Sequence, residues 1–395
     1  VGVGSTKFLY ELCLIKKSPK VIDTNIRKNI IKENKEAGIG VKGFSSPEIT
    51  ENQINKNKEG IIYWVTASPV IGYNLFSDNQ KKIVASAEGL PPTTSGRLTH
   101  NEIWTGNIYL TGDVLVPPSL TLTVHSGSVI TFTPNKSDYD VEIARTIGDK
   151  RVNVGFNERI DIIVEGSLRI LGSKKARVVI GNPELKEEAE NPFAWGGIVF
   201  LGRGIDSLIE NCEIKYANIA LSAWDHISPR MNRVVFRNND IGAYVSGASH
   251  PYMSENRFLD NNFGLIIAGE AEVDFTRNII TRNRFGIISR DYSTGRVAEN
   301  LLSKNTLGME AGDYSQPRIQ SNTFMANKTG LACRHFSSPR IANNRFRENG
   351  EGMRLEDRSM PHQAENVFES NEKDIYDIRY PGIESTDRRV NGKSD

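Results

Sequence analysis

Residues 264–329 read GLIIAGEAEVDFTRNIITRNRF, GIISRDYSTGRVAENLLSKNTL and GMEAGDYSQPRIQSNTFMANKT when they are divided before three glycines. Each segment has 22 residues and begins with Gly264, Gly286 or Gly308. In all three, asparagine occupies positions 15 and 20, and an apolar residue occupies position 17. Columns in register at a fixed period indicate an internal repeat, which decides the fold class before local propensities are considered.

The same columns continue on both sides of this stretch. With position 1 set at the glycine, the repeats begin at Gly242, Gly264, Gly286, Gly308, Gly330 and Gly352. Position 15 holds Asn256, Asn278, Asn300, Asn322, Asn344 and Asn366. Position 20 holds Asn261, Asn283, Asn305, Asn327, Asn349 and Asn371. A looser copy begins at Ala220 and keeps Pro229, Met231, Phe236 and Asn239.

The period predicts the shape of each repeat. A helix pair needs about 33 residues or more, so 22 residues accommodate three short strands and three bends instead. Successive rungs then stack about 4.8 Å apart in parallel, and equivalent side chains lie over one another. An inward asparagine in a bend can hydrogen-bond to the backbone and to the asparagine above it. The sequence therefore predicts an all-β, right-handed parallel β-helix with asparagine ladders in its bends.

A shorter array with the same register precedes the main one. Gly38 and Gly60 are 22 residues apart, and Asn52 and Asn74 occupy position 15. We expect residues 1–83 to be the terminal rungs of a first β-helix and residues 84–101 a linker or cap, because this stretch contains LPPTTSG. Residues 102–380 are expected to form a second, complete β-helix with protruding insertions at 133–158 and 182–194, followed by a tail at 381–395.

The start of the second array resembles a known superfamily. Residues 102–132, EIWTGNIYLTGDVLVPPSLTLTVHSGSVITF, alternate apolar and polar residues and end in turn signals. This segment is similar to the opening coils of exported β-helix proteins of the pectate-lyase-like superfamily, and IDIIVEGSLRILG and WGGIVF continue the pattern. The resemblance implies the fold and an extracytoplasmic location. It leaves the activity open, because that superfamily includes lyases, hydrolases, epimerases, adhesins and accessory proteins.

Composition excludes several classes of protein. Lys+Arg 49 against Asp+Glu 48 gives a net charge of +1, so no overall field attracts nucleic acid. No apolar run is long enough to span a bilayer, and Val1 opens no signal peptide, so a leader is not present in this chain. The three cysteines form no CxxC pair and are predicted to be buried free thiols.

The turn after the first strand of each rung carries the candidate site. Position 6 reads Asp225, Gly247, Gly269, Asp291, Asp313, His335 and Asp357 along the array. Position 5 adds Arg290 and Arg334, and position 7 adds Tyr292 and Tyr314. Asp291 and Asp313 are expected one rung apart, a spacing that suits a retaining carboxylate pair or a Ca²⁺ site. The alternative is that these aspartates only form turns.

Two tryptophans extend the list of candidate binding residues. Trp195 and Trp224 fall near the first strand of successive rungs, so they are expected to share a face, and they are interpreted either as sugar-stacking platforms or as buried residues. Trp224, Asp225 and His226 resemble the WxDH signature of pectate lyases, but the intervening residue is missing. The Arg-x-Pro-x-x-Arg motif of that family is also absent, so we interpret the match as coincidence.

Two functions fit these features. The favoured one is a non-catalytic, extracytoplasmic scaffold that presents a polar face to a polysaccharide or a protein partner. The alternative is a lyase or glycoside hydrolase that uses Asp291, Asp313 and His335 as catalytic residues. In either case the ligand is expected along Asp291, Asp313 and His335, with Arg290 and Arg334 contacting its acidic groups. No cofactor is expected apart from Ca²⁺ at the aspartate pair.

Overall fold

The computed structural model describes residues 25–41, 47–64, 67, 69–86, 92–133, 144–147, 150–153, 159–182, 195–201 and 207–379. The predicted tail at 381–395 and most of the insertions at 133–158 and 182–194 lie outside these residues. Contacts divide the chain into two compact units, Val1–Pro91 with Thr99–Glu102 and Pro92–Leu98 with Ile103–Asp395. The domain boundaries predicted from the sequence stay predictions.

Both units are parallel β-solenoids, as the sequence predicts, and the described residues contain no helix. In the first unit, three sheets have three strands each. These strands are Asn25–Arg27, Glu48–Thr50 and Val70–Gly72 in one sheet, Ile30–Lys32, Gln53–Asn55 and Leu75–Ser77 in the next, and Ala37–Val41, Glu59–Trp64 and Lys81–Ser86 in the third.

The second unit has three long parallel sheets, here named the first, second and third sheet. The first sheet contains Gly96–Arg97, Val114–Val116, Asp161–Val164, Trp195–Leu201, Ala217–Trp224, Ile241–Ser246, Phe263–Ile267, Phe285–Ser289, Leu307–Ala311, Thr329–Cys333, Glu351–Leu355 and Lys373–Asp377. The second sheet contains Glu102–Trp104, Thr121–His125, Ser167–Leu171, Leu208–Glu210, Arg230–Asn232, Tyr252–Ser254, Glu272–Thr276, Thr294–Ala298, Arg318–Gln320, Arg340–Ala342 and His362–Ala364.

The third sheet contains Asn107–Leu110, Val129–Phe132, Val178–Ile180, Cys212–Lys215, Val235–Arg237, Arg257–Leu259, Ile279–Thr281, Leu301–Ser303, Thr323–Met325, Arg345–Arg347 and Val367–Glu369. Ala144–Ile147 and Lys150–Asn153 form a separate antiparallel pair. From residue 217 onward, paired residues of the first sheet are 22 apart, as in Leu265 beside Ile287. The three strands predicted for each 22-residue rung are therefore confirmed.

The interior of the second unit is a column of stacked apolar side chains. Phe324 and Phe346, both at position 17, have ring centroids 4.8 Å apart and are fully buried. The glycine at position 1 is required by the close approach of the next rung. A Cβ on Gly286 would lie 2.3 Å from the carbonyl oxygen of Gly308, which no side chain can accept.

Both predicted asparagine ladders are present. Asn322 donates its Nδ2 to the carbonyl of Val297 at 2.8 Å and to Oδ1 of Asn344 at 3.0 Å. Asn327 does the same with Leu302 and Asn349. Both side chains are buried. Because a buried polar group is tolerated only when it is hydrogen-bonded, these ladders explain why a polar residue recurs inside the solenoid.

Candidate functional site

The corner between the first and second sheets holds the position-6 residues. Each described member of this column has left-handed backbone geometry: Asp225, Gly247, Gly269, Asp291, Asp313, His335 and Asp357 have φ between 50° and 64°. Glycine and aspartate adopt this conformation more readily than most residues. The turn explanation therefore applies to the whole column, including His335.

Four of the position-6 side chains bond to the backbone of the preceding rung. Asp291 Oδ2 accepts the backbone N–H of Gly269 at 2.8 Å, and Asp313 Oδ2 accepts that of Asp291 at 3.3 Å. His335 Nδ1 lies 3.3 Å from the backbone nitrogen of Asp313, and Asp357 Oδ2 accepts the N–H of His335 at 3.1 Å. These four side chains form an exterior ladder that we call the corner ladder.

His335 is the link between the acids of the corner ladder. Its Nδ1 is 3.0 Å from Asp313 Oδ1, and its Nε2 is 3.9 Å from Asp357 Oδ2. All three side chains are about half exposed to solvent. The corner ladder therefore presents a row of carboxylate and imidazole groups that a ligand can reach.

An exposed aromatic stack lies one residue beyond the corner ladder. The rings of Tyr292 and Tyr314 are stacked with centroids 5.3 Å apart, and those of Tyr314 and Phe336 with centroids 5.2 Å apart. Tyr292 is 62% exposed, and the other two rings are 47% and 45% exposed. The Arg358 guanidinium lies 5.7 Å from the Phe336 centroid. The stack is an apolar surface with two phenol hydroxyls.

A depression lies where glycines interrupt the position-6 column. Its volume is about 440 Å³, within the range of small-molecule sites. It is lined by Trp224, Asp225, His226, Tyr244, Ser246, Gly247, Ala248, Gly269, Glu270 and Asp291. The rings of Trp224 and Tyr244 lie 4.7 Å apart. Because Gly247 and Gly269 carry no side chain, the column opens between Asp225 and Asp291.

Three of the predicted binding residues, Trp224, Asp225 and Asp291, lie at this depression. Trp224 is only 3% exposed, so the expectation that its face is open to a sugar is wrong. His226, Tyr244 and Glu270 also line the depression and were not among the predicted residues. The signal that could have located the depression is the pair of consecutive glycines in a column of aspartates.

One of the two arginines at position 5 occupies a different setting from the predicted one. Arg334 lies between Glu310 Oε2 at 3.0 Å and Glu356 Oε2 at 2.6 Å. Its charge is thus already matched by two carboxylates of neighbouring rungs, which corrects the expectation that it contacts acidic groups of a ligand. Arg290 Nε is buried and has no hydrogen-bond partner among the described residues.

Trp195 is not a binding residue. Its side chain is fully buried and stacks on Phe132 with centroids 4.2 Å apart. Its Nε1 donates a hydrogen bond to the carbonyl of Lys215 at 2.9 Å. Trp195 belongs to the interior cluster, whereas Trp224 packs in a separate apolar cluster with Tyr244. The expectations that Trp195 offers a face to a sugar and shares that face with Trp224 are therefore wrong.

Three buried groups away from the corner have perturbed acidity. Burial, together with the nearby Asp113 carboxylate, holds the pKa of Asp161 well above its usual range. Burial raises the pKa of the Cys333 thiol to about 12 and raises that of Cys212 as well. Cys212 and Cys333 are buried free thiols, as predicted, while Cys13 lies outside the described residues.

Metal binding at the corner stays a prediction. The part of the chain that the structure describes contains no group of three or more His, Cys, Asp or Glu side chains arranged to hold a metal ion. At the predicted Ca²⁺ position, one oxygen of each of Asp291 and Asp313 accepts a backbone N–H. The other Asp313 oxygen faces His335.

The profile of the right-handed β-helix region matches residues 14–135 and 197–372. The chain belongs to this right-handed β-helix family. The family assignment agrees with the parallel sheets and the 22-residue rungs. No curated protein sequence matches the chain significantly.

The chain is also weakly similar to a solved structure. The A-module of a mannuronan C-5 epimerase from Azotobacter vinelandii is 14% identical, with a TM-score of 0.42. The match covers 69% of this chain and 90% of that one. Within the described residues of this β-helix protein, no helix is long and apolar enough to cross a membrane.

Proposed function

We propose that this β-helix protein is a non-catalytic glycan-binding protein that holds a polysaccharide along its corner ladder and aromatic stack. The observation that carries the proposal is the exposed stack of Tyr292, Tyr314 and Phe336 on three consecutive rungs. Large exposed apolar side chains in a row mark an interaction surface rather than a random feature of the exterior. Tyrosine supplies an apolar ring and a hydrogen-bonding hydroxyl at the same place.

The groups beside the stack supply the polar half of a sugar site. The exposed Asp313 carboxylate and the His335 imidazole each lie one residue from a ring of the stack, and the Asp357 carboxylate follows on the next rung. These groups can accept or donate hydrogen bonds to sugar hydroxyls. Rungs repeat every 4.8 Å or so, close to the advance of an extended sugar chain per unit. A polymer lying parallel to the solenoid axis would therefore meet similar groups at each unit.

The depression at Gly247 and Gly269 suits the end of such a polymer. It lies at the Asp291 end of the corner ladder and is lined by Trp224 and Tyr244. A wider space next to a flat surface can hold one sugar ring or a branch. Because the polysaccharides of cell surfaces lie outside the cytoplasm, the proposal includes an extracytoplasmic location.

The use of the aspartates supports binding rather than catalysis. The Oδ2 atoms of Asp291 and Asp313 accept backbone N–H groups of the preceding rung, so both carboxylates join successive turns of the corner. A carboxylate held in this way can still accept a hydrogen bond through its second oxygen. That role requires neither proton transfer nor nucleophilic attack.

A polysaccharide panel tests the proposal. Immobilised neutral and acidic polysaccharides are screened for binding, and the same mixtures are assayed for new reducing or unsaturated ends. We expect binding of at least one polymer without release of ends, and Tyr314→Ala should weaken it by about tenfold, as loss of a ring contact does. Tyr109→Ala is the matched control, because Tyr109 is 52% exposed on the third sheet.

Asp291→Asn combined with Asp313→Asn separates binding from catalysis. Asparagine keeps a side-chain oxygen for the backbone N–H and tolerates the left-handed turn, so the fold should survive. If the wild type releases reducing or unsaturated ends and this double variant does not, the protein is an enzyme and the proposal is contradicted. Failure of every polysaccharide to bind would contradict it as well.

A further inference from the structure

The aromatic stack is one edge of a larger flat face. From position 7 to position 11, exposed and buried residues alternate, with Tyr314, Gln316 and Arg318 exposed and Ser315 and Pro317 buried. The parallel hydrogen bonds continue through this stretch, as shown by Tyr314 N to Asp291 O at 2.9 Å and Gln316 N to Ser293 O at 2.9 Å. Side chains two residues apart on an extended chain share a face. Positions 7, 9 and 11 therefore point to the same side.

Position 11 of this face carries a row of arginines. Arg296, Arg318 and Arg340 are paired residue to residue on three successive strands of the second sheet, and His362 follows on the next strand. All four side chains are exposed. Neighbouring strands are about 4.8 Å apart, so the backbones that carry consecutive arginines are separated by that distance.

The middle and last of these arginines are not neutralised. Arg296 pairs with Glu299 at 3.2 Å. Arg318 and Arg340, in contrast, form no ion pair or side-chain hydrogen bond with any described residue. The residues beside them are uncharged: Gln316 and Ser338 at position 9, and Gln320 and Ala342 at position 13. Two adjacent like charges without a counter-ion raise the free energy of the face, which an anionic ligand lowers.

The presence of two neighbouring guanidinium groups selects the kind of anion. A carboxylate has two oxygens and is satisfied by one arginine fork, whereas a sulfate or phosphate ester has three free oxygens. An ester group placed between Arg318 and Arg340 can accept hydrogen bonds from both at once. The aromatic stack lies four residues, or about 13 Å, from the arginines along the extended chain. That distance leaves room for a sugar ring between the aromatic rings and the ester.

We propose that Arg318 and Arg340 form an oxyanion site that binds sulfate or phosphate esters carried by the glycan. The proposal rests on glycan binding at the neighbouring aromatic stack and adds the chemical class of the ligand. The arginine pair supplies affinity for the ester, and the stack with Gln316 supplies contacts for the sugar. A neutral polymer would use only the second set of contacts.

Dextran and its derivatives test this assignment. The full chain is titrated with dextran sulfate, dextran phosphate, carboxymethyl-dextran of matched charge density and unmodified dextran, at several NaCl concentrations. We expect an ester derivative to bind about tenfold more tightly than carboxymethyl-dextran, with an affinity that falls as salt rises. The tighter of the two esters identifies the anion. Equal affinity for carboxymethyl-dextran, or no binding of either ester, would overturn the proposal.

Charge-matched variants localise the effect. Arg318→Gln with Arg340→Gln should lower affinity for the ester by about tenfold or more. Arg257→Gln with Arg284→Gln removes the same charge from exposed positions outside the second sheet and should change it less than about twofold. Equal losses in both variants, or equally tight binding of single-stranded DNA, would contradict an ester-glycan site. Neutral polysaccharides that bind the wild type should still bind the Arg318→Gln/Arg340→Gln variant, so a failed oxyanion site is distinguishable from failed glycan binding.

Discussion

The side-chain oxygen of Asn322 accepts two hydrogen bonds from Asn300, one from the backbone nitrogen at 3.0 Å and one from Nδ2 at 2.9 Å. Asn300 Nδ2 also donates to the carbonyl of Phe275 at 3.0 Å. One asparagine therefore connects the backbones of three successive rungs in a bend from which water is excluded. This arrangement repeats along both ladders and fixes the register of the solenoid.

Replacing Asn322 by leucine should destabilise the fold. The backbone N–H and Nδ2 of Asn300 and the carbonyl of Val297 lose their partners. Unsatisfied buried groups cost about 1–3 kcal/mol each, so the free energy of unfolding should fall by at least that amount. Urea denaturation measures it. The control is Asn262→Ala, since the side chain of Asn262 bonds, among the described residues, only to the partly exposed Asp240, and its loss should cost less than about 0.5 kcal/mol.

Two glycines should respond differently to alanine. Gly286→Ala places a Cβ 2.3 Å from the Gly308 carbonyl oxygen and must push two rungs apart. Gly312→Ala meets only the end of the Glu310 side chain at 3.3 Å, which can move. We expect Gly286→Ala to destabilise by about 2 kcal/mol or more and Gly312→Ala to be nearly neutral. Equal thermal midpoints for the two variants would contradict the assigned glycine column.

Asp161 should make stability depend on pH. Its folded-state pKa is raised by burial and by Asp113, so ionisation opposes folding. Its contribution is most favourable below the unfolded pKa of about 3.9 and is lost as pH rises toward the folded value. Asp161→Asn should therefore stabilise the protein at pH 7 relative to wild type, with a smaller gain near pH 4. Denaturation at both pH values checks this, and an equal effect at the two would contradict it.

The buried thiols should be inert in the folded protein. Burial disfavours the thiolate of both Cys333 and Cys212, and the thiolate is the reactive form. Native protein treated with iodoacetamide at pH 8 and analysed by peptide mass spectrometry should show no label on either cysteine. Both should be labelled after denaturation. Labelling of either one in the native state would show that its rung opens.

The sequence predicted the asparagine ladders because stacked rungs impose the same environment on each member of a column. Trp195 could not be placed in this way. It precedes the regular repeat, and its strand pairs with Ala217–Trp224 through a register shift between Gly197 and Ile198. A one-residue shift exchanges the inward and outward faces of a strand. The sequence therefore did not determine whether this tryptophan points inward.

The position-6 column shows a second limit of prediction from the sequence. Its residue types fitted both a ligand site and a turn, and only the φ angles and the hydrogen bonds to the preceding rung separate the two contributions. Arg318 and Arg340 were visible in the sequence as a recurring position 11. Their importance depends on the lack of nearby acids, which is a property of the folded surface.

Amide hydrogen exchange with and without a bound polysaccharide tests glycan binding at the corner most directly. The backbone N–H groups of Asp291, Asp313 and His335 are held by side chains at the surface, so they should exchange measurably in the free protein. Binding should slow exchange in peptides spanning residues 289–295, 311–317 and 333–338. Protection confined to the third sheet, at residues 257–259, 279–281 and 301–303, would contradict the account.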